Sequence, residues 1–225
     1  GAENTESTAV TSFNSNGFSL GATNEVNQQN DAFVSWSWNA GGSNATNTSG
    51  TITSTVRANA TAGFSIVTYT GTGANATVGH GLGVAPAMII PKNRSNVSGT
   101  NWWVYHKSLT NNPGGYLVLN STATQANSIT VYNQTNPTSS VFTVGTENGI
   151  NQSGSSMVAY CFAAVAGYSA FGSYTGNGSA DGPFVYCGFR PRYVLIKRTD
   201  TTEDWVVQDT SRATYNASTA VLNPD

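Results

Sequence analysis

The chain repeats itself, and that duplication constrains its fold more than any single motif does. GFSIVTYTGTG (63–73) lies over GYSAFGSYTGNG (167–178), and GLGVAPAMIIPKNRS (81–95) lies over GFRPRYVLIKRTD (188–200). Tyr69 matches Tyr174, Gly83 matches Gly188, Pro86 matches Pro191 and Lys92 matches Lys197, all at one spacing; after a small gap, WVYHKS meets WVVQDT. A second block recurs at a larger spacing, with NGFSLGATNEVNQQNDAFVSWSW (16–38) over SVFTVGTENGINQSGSSMVAYCF (140–162). Asn27 and Gln28 thereby fall on Asn151 and Gln152, and Trp36 and Trp38 on Tyr160 and Phe162. Two blocks repeated in the same order are the mark of a tandem structural unit.

The blocks run B, A, B, A. Residues 63–166 hold one complete unit, while 1–62 and 167–225 each supply half of another. Half a β-sandwich cannot bury its apolar face and leaves strand edges open, so each terminal half needs a complement. The two halves are expected to complete a second repeat, either within one chain or head to tail with a neighbouring chain, as in donor-strand assembly.

Composition agrees with strands. Only 9% of the residues are charged and the net charge is -2, against about 25% charged in ordinary globular proteins. That removes the electrostatic footprint of a nucleic-acid binder. Five Trp, ten Tyr and nine Phe supply a core that a disordered chain lacks. The polar remainder is Ser, Thr, Asn and Gly, which suit solvated strand faces and tight turns. In TITSTVRAN, Ile52, Ser54, Val56 and Ala58 face one side and Thr51, Thr53, Thr55 and Arg57 the other, the alternation of a half-buried strand. Short runs at 33–38, 64–70, 87–92, 102–107, 116–120, 128–133, 141–145, 156–162, 184–189, 192–198 and 204–209 read likewise, separated by Gly, Asn and Pro clusters such as NPGG. The predicted fold is all-β: two tandem β-sandwich, jelly-roll-like repeats related by internal duplication. No window approaches the ~18 to 20 apolar residues of a membrane span, so no membrane insertion is expected.

GHGLGVAP (79–86) looks at first like a phosphate loop. Its second copy keeps only Gly188 and Pro191, and an apolar strand rather than a helix start follows it. A phosphate cradle needs both the glycines and the helix. The stretch is read as a turn that feeds a strand.

HGLGVAPAMIIPKNRS followed by WWVYHKSL, with SYTGNGSADGPFVYCGFRPRYVLIKR later, resembles an uncharacterised repeat domain of virion structural and tail-fibre-like proteins of tailed, largely marine, bacteriophages. The resemblance spans nearly the whole chain. It implies a virion-surface or extracellular structural protein whose partners are other virion proteins and further copies of itself, and it carries no catalytic residues across. Pro91 departs from the pattern, which has a β-branched residue there. Since Pro lacks a ladder donor, its strand is expected at an edge or broken at that point.

Nothing in the sequence composes an active site. His80 and His106 lack co-ligands at workable spacing, so no metal or other cofactor is expected. Asp200, Glu203 and Asp204 form an acidic loop, read as a solvated turn because the equivalent loop after Arg94 has no carboxylate. Eleven scattered acids offer no glycosidase pair. Cys161 and Cys187 sit in predicted strands, either as a disulfide or as two buried thiols. Trp36 and Trp38 alternate with Ser and are expected in the core. Trp102 and Trp103 are adjacent, so one of them should point outward; with Tyr105 they are the candidate contacts for a subunit interface or a host-surface glycan. The sequence thus reads as a non-enzymatic structural or adhesive component of a phage particle or fibre, with a glycan-binding receptor module as the alternative.

Overall fold

The structure, a computed structural model, describes residues 2–95, 100–213 and 219–224; Gly1 and Asp225, the ends of the two terminal halves, lie outside them. The chain forms two compact units, a small one of Glu3–Ser37 and a large one running from Trp38 onward. In the small unit β1 (Val10–Asn14) and β2 (Gly17–Leu20) form an antiparallel hairpin, followed by a single helical turn, α1 (Asn24–Asn27).

The large unit is built on an eight-stranded sheet in which every neighbour is antiparallel. Its strands are β3 (Ala45–Asn47), β4 (Ser54–Asn59), β5 (Phe64–Thr70), β7 (Met88–Asn93), β8 (Trp103–His106), β9 (Gly115–Val118), β10 (Ala126–Asn127) and β12 (Ser156–Phe162). They lie in the order β10-β9-β8-β7-β12-β5-β4-β3. A two-stranded ribbon pairs β6 (Ala76–Gly79) with β11 (Val141–Val144). Two single turns, α2 (Ile129–Tyr132) and α3 (Asn148–Asn151), flank β11 in sequence. Strand period 2 sends Met157, Ala159 and Cys161 of β12 to one face, all fully buried. That face shares one apolar cluster with Val78, Phe142 and Val144 of the ribbon and Val131 and Ile150 of the turns. On another cluster, Val104, Leu109 and Leu117 pack with Trp205, which belongs to the hairpin of β13 (Tyr193–Lys197) and β14 (Trp205–Asp209).

Alternation at 51–58 is as expected: Ile52, Ser54 and Val56 are buried, Thr51, Thr53, Thr55 and Arg57 exposed. Ser54 is tolerated inside because its hydroxyl donates to the Gly79 carbonyl at 2.9 Å. Residues 45–59, read from sequence as part of a terminal half, join the large sheet through β4 and β5.

Other expectations are corrected. The run 128–133 is not a strand but helical turn α2, since the Ser128 hydroxyl accepts from Thr130 N and Asn133 takes a left-handed conformation that ends it. The runs 33–38 and 184–189 have strand-like sequence but no strand pairing. Trp36 and Trp38 are exposed by 38% and 42%, not core; the Trp38 ring leans on Phe64, Phe162 and Tyr193 at its surface. Pro91 is not on an edge, because β7 lies between β8 and β12. Its ladder is interrupted on one side only: pairing with β12 runs through Pro91 to Asn93, whereas pairing with β8 stops at Ile89. The missing donor therefore faces β8.

Candidate interaction surface

The three aromatic candidates do not act together. Trp103 and Tyr105 are buried in the main cluster, where Trp103 meets Tyr116 edge-on at 4.8 Å and Tyr105 meets Tyr132 at 5.7 Å. Neither is available to a glycan or a subunit as a surface side chain, which corrects that part of the expectation. Trp102 remains partly exposed. Its ring stacks on Tyr160 at 6.4 Å, and Lys92 Nζ stands 5.8 Å from its centroid.

The glycine-rich stretch is a turn. Gly81 and Gly83 both hold φ of 74°, a region that side chains with a Cβ rarely adopt, and strand β7 follows. His80 within it is fully buried. Its Nε2 donates to the Thr138 carbonyl at 3.1 Å while Nδ1 accepts from Leu82 N at 3.2 Å, so the ring is neutral, and burial lowers its pKa below 6.5. His106 is likewise lowered, mainly by burial and then by Lys107. Among the described residues no three His, Cys, Asp or Glu side chains group to hold a metal. In the acidic loop Arg198 Nε lies 2.7 Å from Asp200, and Asn223 Nδ2 donates to Asp204 at 2.7 Å. Cys161 and Cys187 are both free thiols; Cys161 is buried, and burial pushes its pKa up to about 12.

Hydrogen bonding, which sequence reading did not reach, repeats between the small unit and the stretch around β11 and α3. Asn151 Nδ2 donates to the Gly145 carbonyl at 2.6 Å, and Asn27 Nδ2 donates to the Gly21 carbonyl at 2.8 Å. Gly145 N bonds Val131 O and Glu147 N bonds Thr130 O; Gly21 N bonds Ala9 O and Thr23 N bonds Thr8 O. A Cβ on Gly145 would stand 2.1 Å from Thr130 O, and one on Gly21 2.3 Å from Thr8 O. Glycine is required at both places by the same backbone approach. The matched Asn and Gly in the two blocks were the available signal.

The environments differ. Phe142, Val144 and Ile150 are buried, whereas their matches Phe18 and Leu20 are about 40% exposed and Val26 is only partly covered. Asn151 makes further bonds, with Nδ2 donating to Ala74 O and Oδ1 accepting from Thr72 N at 2.8 Å. The corresponding A-block residues near the C-terminus are open too. Phe184 is 90% exposed, Tyr186 83% and Tyr174 50%, although Tyr69, the match of Tyr174, is buried in the cluster. A concavity of about 430 Å³ there is bounded, among the described residues, by Phe184 to Pro191.

The A-block hairpins agree more closely still. Lys107 N donates to Ala87 O before β7, and Thr210 N donates to Arg192 O before β13. Lys197 pairs with Trp205 across β13 and β14, as Lys92 lies beside Trp102. Both lysines also donate to loop carbonyls, Lys92 to Thr100 and Lys197 to Thr122. This register aligns Trp205 with Trp102, one position from the alignment of WVYHKS on WVVQDT.

Among the described residues no helix is long and apolar enough to cross a membrane. A family model described as "Domain of unknown function (DUF7483)" matches residues 1–225. No curated protein and no solved structure matches the chain.

Proposed function

The chain belongs to the DUF7483 family, and on that premise we propose that it is a structural, non-enzymatic component of a bacteriophage particle or fibre. It works by packing duplicated β-sandwich repeats and by contact between subunits. The observation that carries this reading is the pair of equivalent asparagine hooks, Asn27 on Gly21 and Asn151 on Gly145, inside segments with the same backbone bonds. A hook that is buried in one copy and uncovered in the other fits a repeat whose second copy is completed by assembly. The low charge and the turn-rich, polar surface suit a protein packed among like subunits at a virion surface.

The test is composition and position. Antibody raised to the chain should label intact, purified particles of a phage that encodes it, at regular spacing, and the protein should be found among the particle's stoichiometric components by mass spectrometry. Its absence from purified particles sinks the proposal.

A second reading, a glycan-binding module, rests on Trp102, a half-exposed ring beside Lys92. Saturable binding on a glycan array that Trp102→Ala abolishes would favour it.

A further inference from the structure

We propose that Asn177 is a site of self-modification, at which the Gly178 backbone nitrogen displaces the Asn177 side-chain amide and water completes the conversion to aspartate and isoaspartate. The product adds a negative charge to the turn 177–181 and loosens it. The reaction draws only on this chain's own atoms and on solvent.

The chain holds three Asn-Gly pairs, Asn16-Gly17, Asn148-Gly149 and Asn177-Gly178. Glycine leaves the attacking nitrogen unhindered, because no Cβ stands beside it. The structure separates the three. Gly149 is buried and its N donates to Glu147 Oε1 at 3.4 Å. Asn148 opens α3, and a helical side chain points back toward the N-terminus, away from the nitrogen that follows it. Gly17 faces Asn14 across a hairpin that turns at Ser15 and Asn16, so the ladder engages its N–H. Gly178 differs. It is exposed, holds φ of 68°, and among the described residues its N–H has no hydrogen-bond partner.

The Asn177 amide is turned toward that nitrogen. Its Oδ1 accepts from Ser179 N at 3.0 Å and its Nδ2 donates to the Asp181 carbonyl at 3.0 Å. Both bonds reach forward along the chain, so the side chain curls over its own C-terminal peptide. In the reaction Gly178 N gives its proton to solvent base and bonds to Asn177 Cγ. Charge collects on Oδ1, where the Ser179 N–H already stands to stabilise it. The Cγ–Nδ2 bond then breaks, ammonia leaves, and a five-membered succinimide remains. Water opens the ring at Cγ to give aspartate, or at the Asn177 main-chain carbonyl to give isoaspartate; nothing is oxidised or reduced. Neither carboxylate can donate to Asp181 O, so acceptor faces acceptor and the turn loses a closing bond. The net charge of -2 gains one further negative unit, a large change for a chain with so few charges.

The test incubates the full chain at pH 8 and follows each Asn-Gly pair by peptide mapping in a mass spectrometer, beside a sample kept unfolded in urea. In the folded chain Asn177 should convert at least ~10-fold faster than Asn16 or Asn148, the rate equivalent of about one hydrogen bond. In urea the three rates should converge. The folded reaction should slow at pH 6, because the attacking nitrogen must lose its proton. Asn177→Ser should abolish the acidic shift that the unsubstituted chain develops on isoelectric focusing. Converted chain should be cut by protease within 177–181 faster than fresh chain; equal cutting overturns the loosening of the turn. Conversion at Asn177 no faster than at Asn16 in the folded chain, or a folded chain left intact while the unfolded one reacts, overturns the site itself.

Discussion

Tyr69 Oη donates a 2.6 Å hydrogen bond to the carbonyl oxygen of Ile150, joining the end of β5 to turn α3 across the buried cluster. The two residues lie far apart in sequence, so the bond closes the sheet onto the layer that covers it. Removing the hydroxyl leaves a buried carbonyl without that donor. Tyr69→Phe is expected to lose about 1–3 kcal/mol in urea unfolding; a change below about 0.5 kcal/mol would mean the hydroxyl contributes little.

Asn151 and Asn27 share a local geometry but not an environment. Asn151→Leu strands the Ala74 and Gly145 carbonyls and the Thr72 amide inside the protein, at a cost of roughly 3 kcal/mol or more. Asn27→Leu removes one exposed bond to Gly21 and should cost about 1 kcal/mol or less when the chain is dilute and monomeric. Equal losses from the two substitutions in denaturant titrations would contradict the difference in burial between Asn27 and Asn151.

His80 makes stability depend on pH. Burial holds its folded pKa below 6.5, so the unfolded chain takes up a proton first as pH falls. The stability that neutral His80 contributes is complete above about 6.5 and declines as pH falls from there towards and through the lowered folded value. His106, lowered in the same direction, adds to the slope. The midpoint of thermal unfolding should fall between pH 7 and pH 5, and His80→Gln should flatten that fall. An unchanged slope in His80→Gln would assign the pH dependence elsewhere.

The two thiols should be distinguishable by reagent. Cys161 is fully buried, with its pKa pushed up to about 12; at pH 8 roughly one thiol in ten thousand is ionised. Cys187 is partly exposed. A thiol-reactive chromophore should count one equivalent in the native protein and the second only on unfolding. Two fast equivalents, or none, would refute that assignment.

Much of the strand content was legible because it is written in local pattern. The alternation around Val56, the apolar runs that became β5, β7 and β12, and the turn glycines Gly83 and Gly188 follow from side-chain period and backbone sterics. Pro91 announced an interrupted ladder correctly but gave no hint of which neighbour would lose it. Residues 128–133 misled because Ser128 as a cap outweighed a β-branched composition. The candidate surface was less legible: adjacent Trp102 and Trp103 signalled one outward ring, yet pattern could not say that Trp103 and Tyr105 would go inside.

What the sequence determined alone is the mainly β character of the chain, the recurrence of its two blocks and the chemistry of their turns, since each depends on neighbours within a few residues. Tertiary structure alone decided which of the matched residues are buried. Gly21 and Gly145 make the same close approach to a carbonyl, but Phe142 is buried and its match Phe18 is not. Burial is a property of what lies opposite a strand, and a strand's own residues specify only what they could bury.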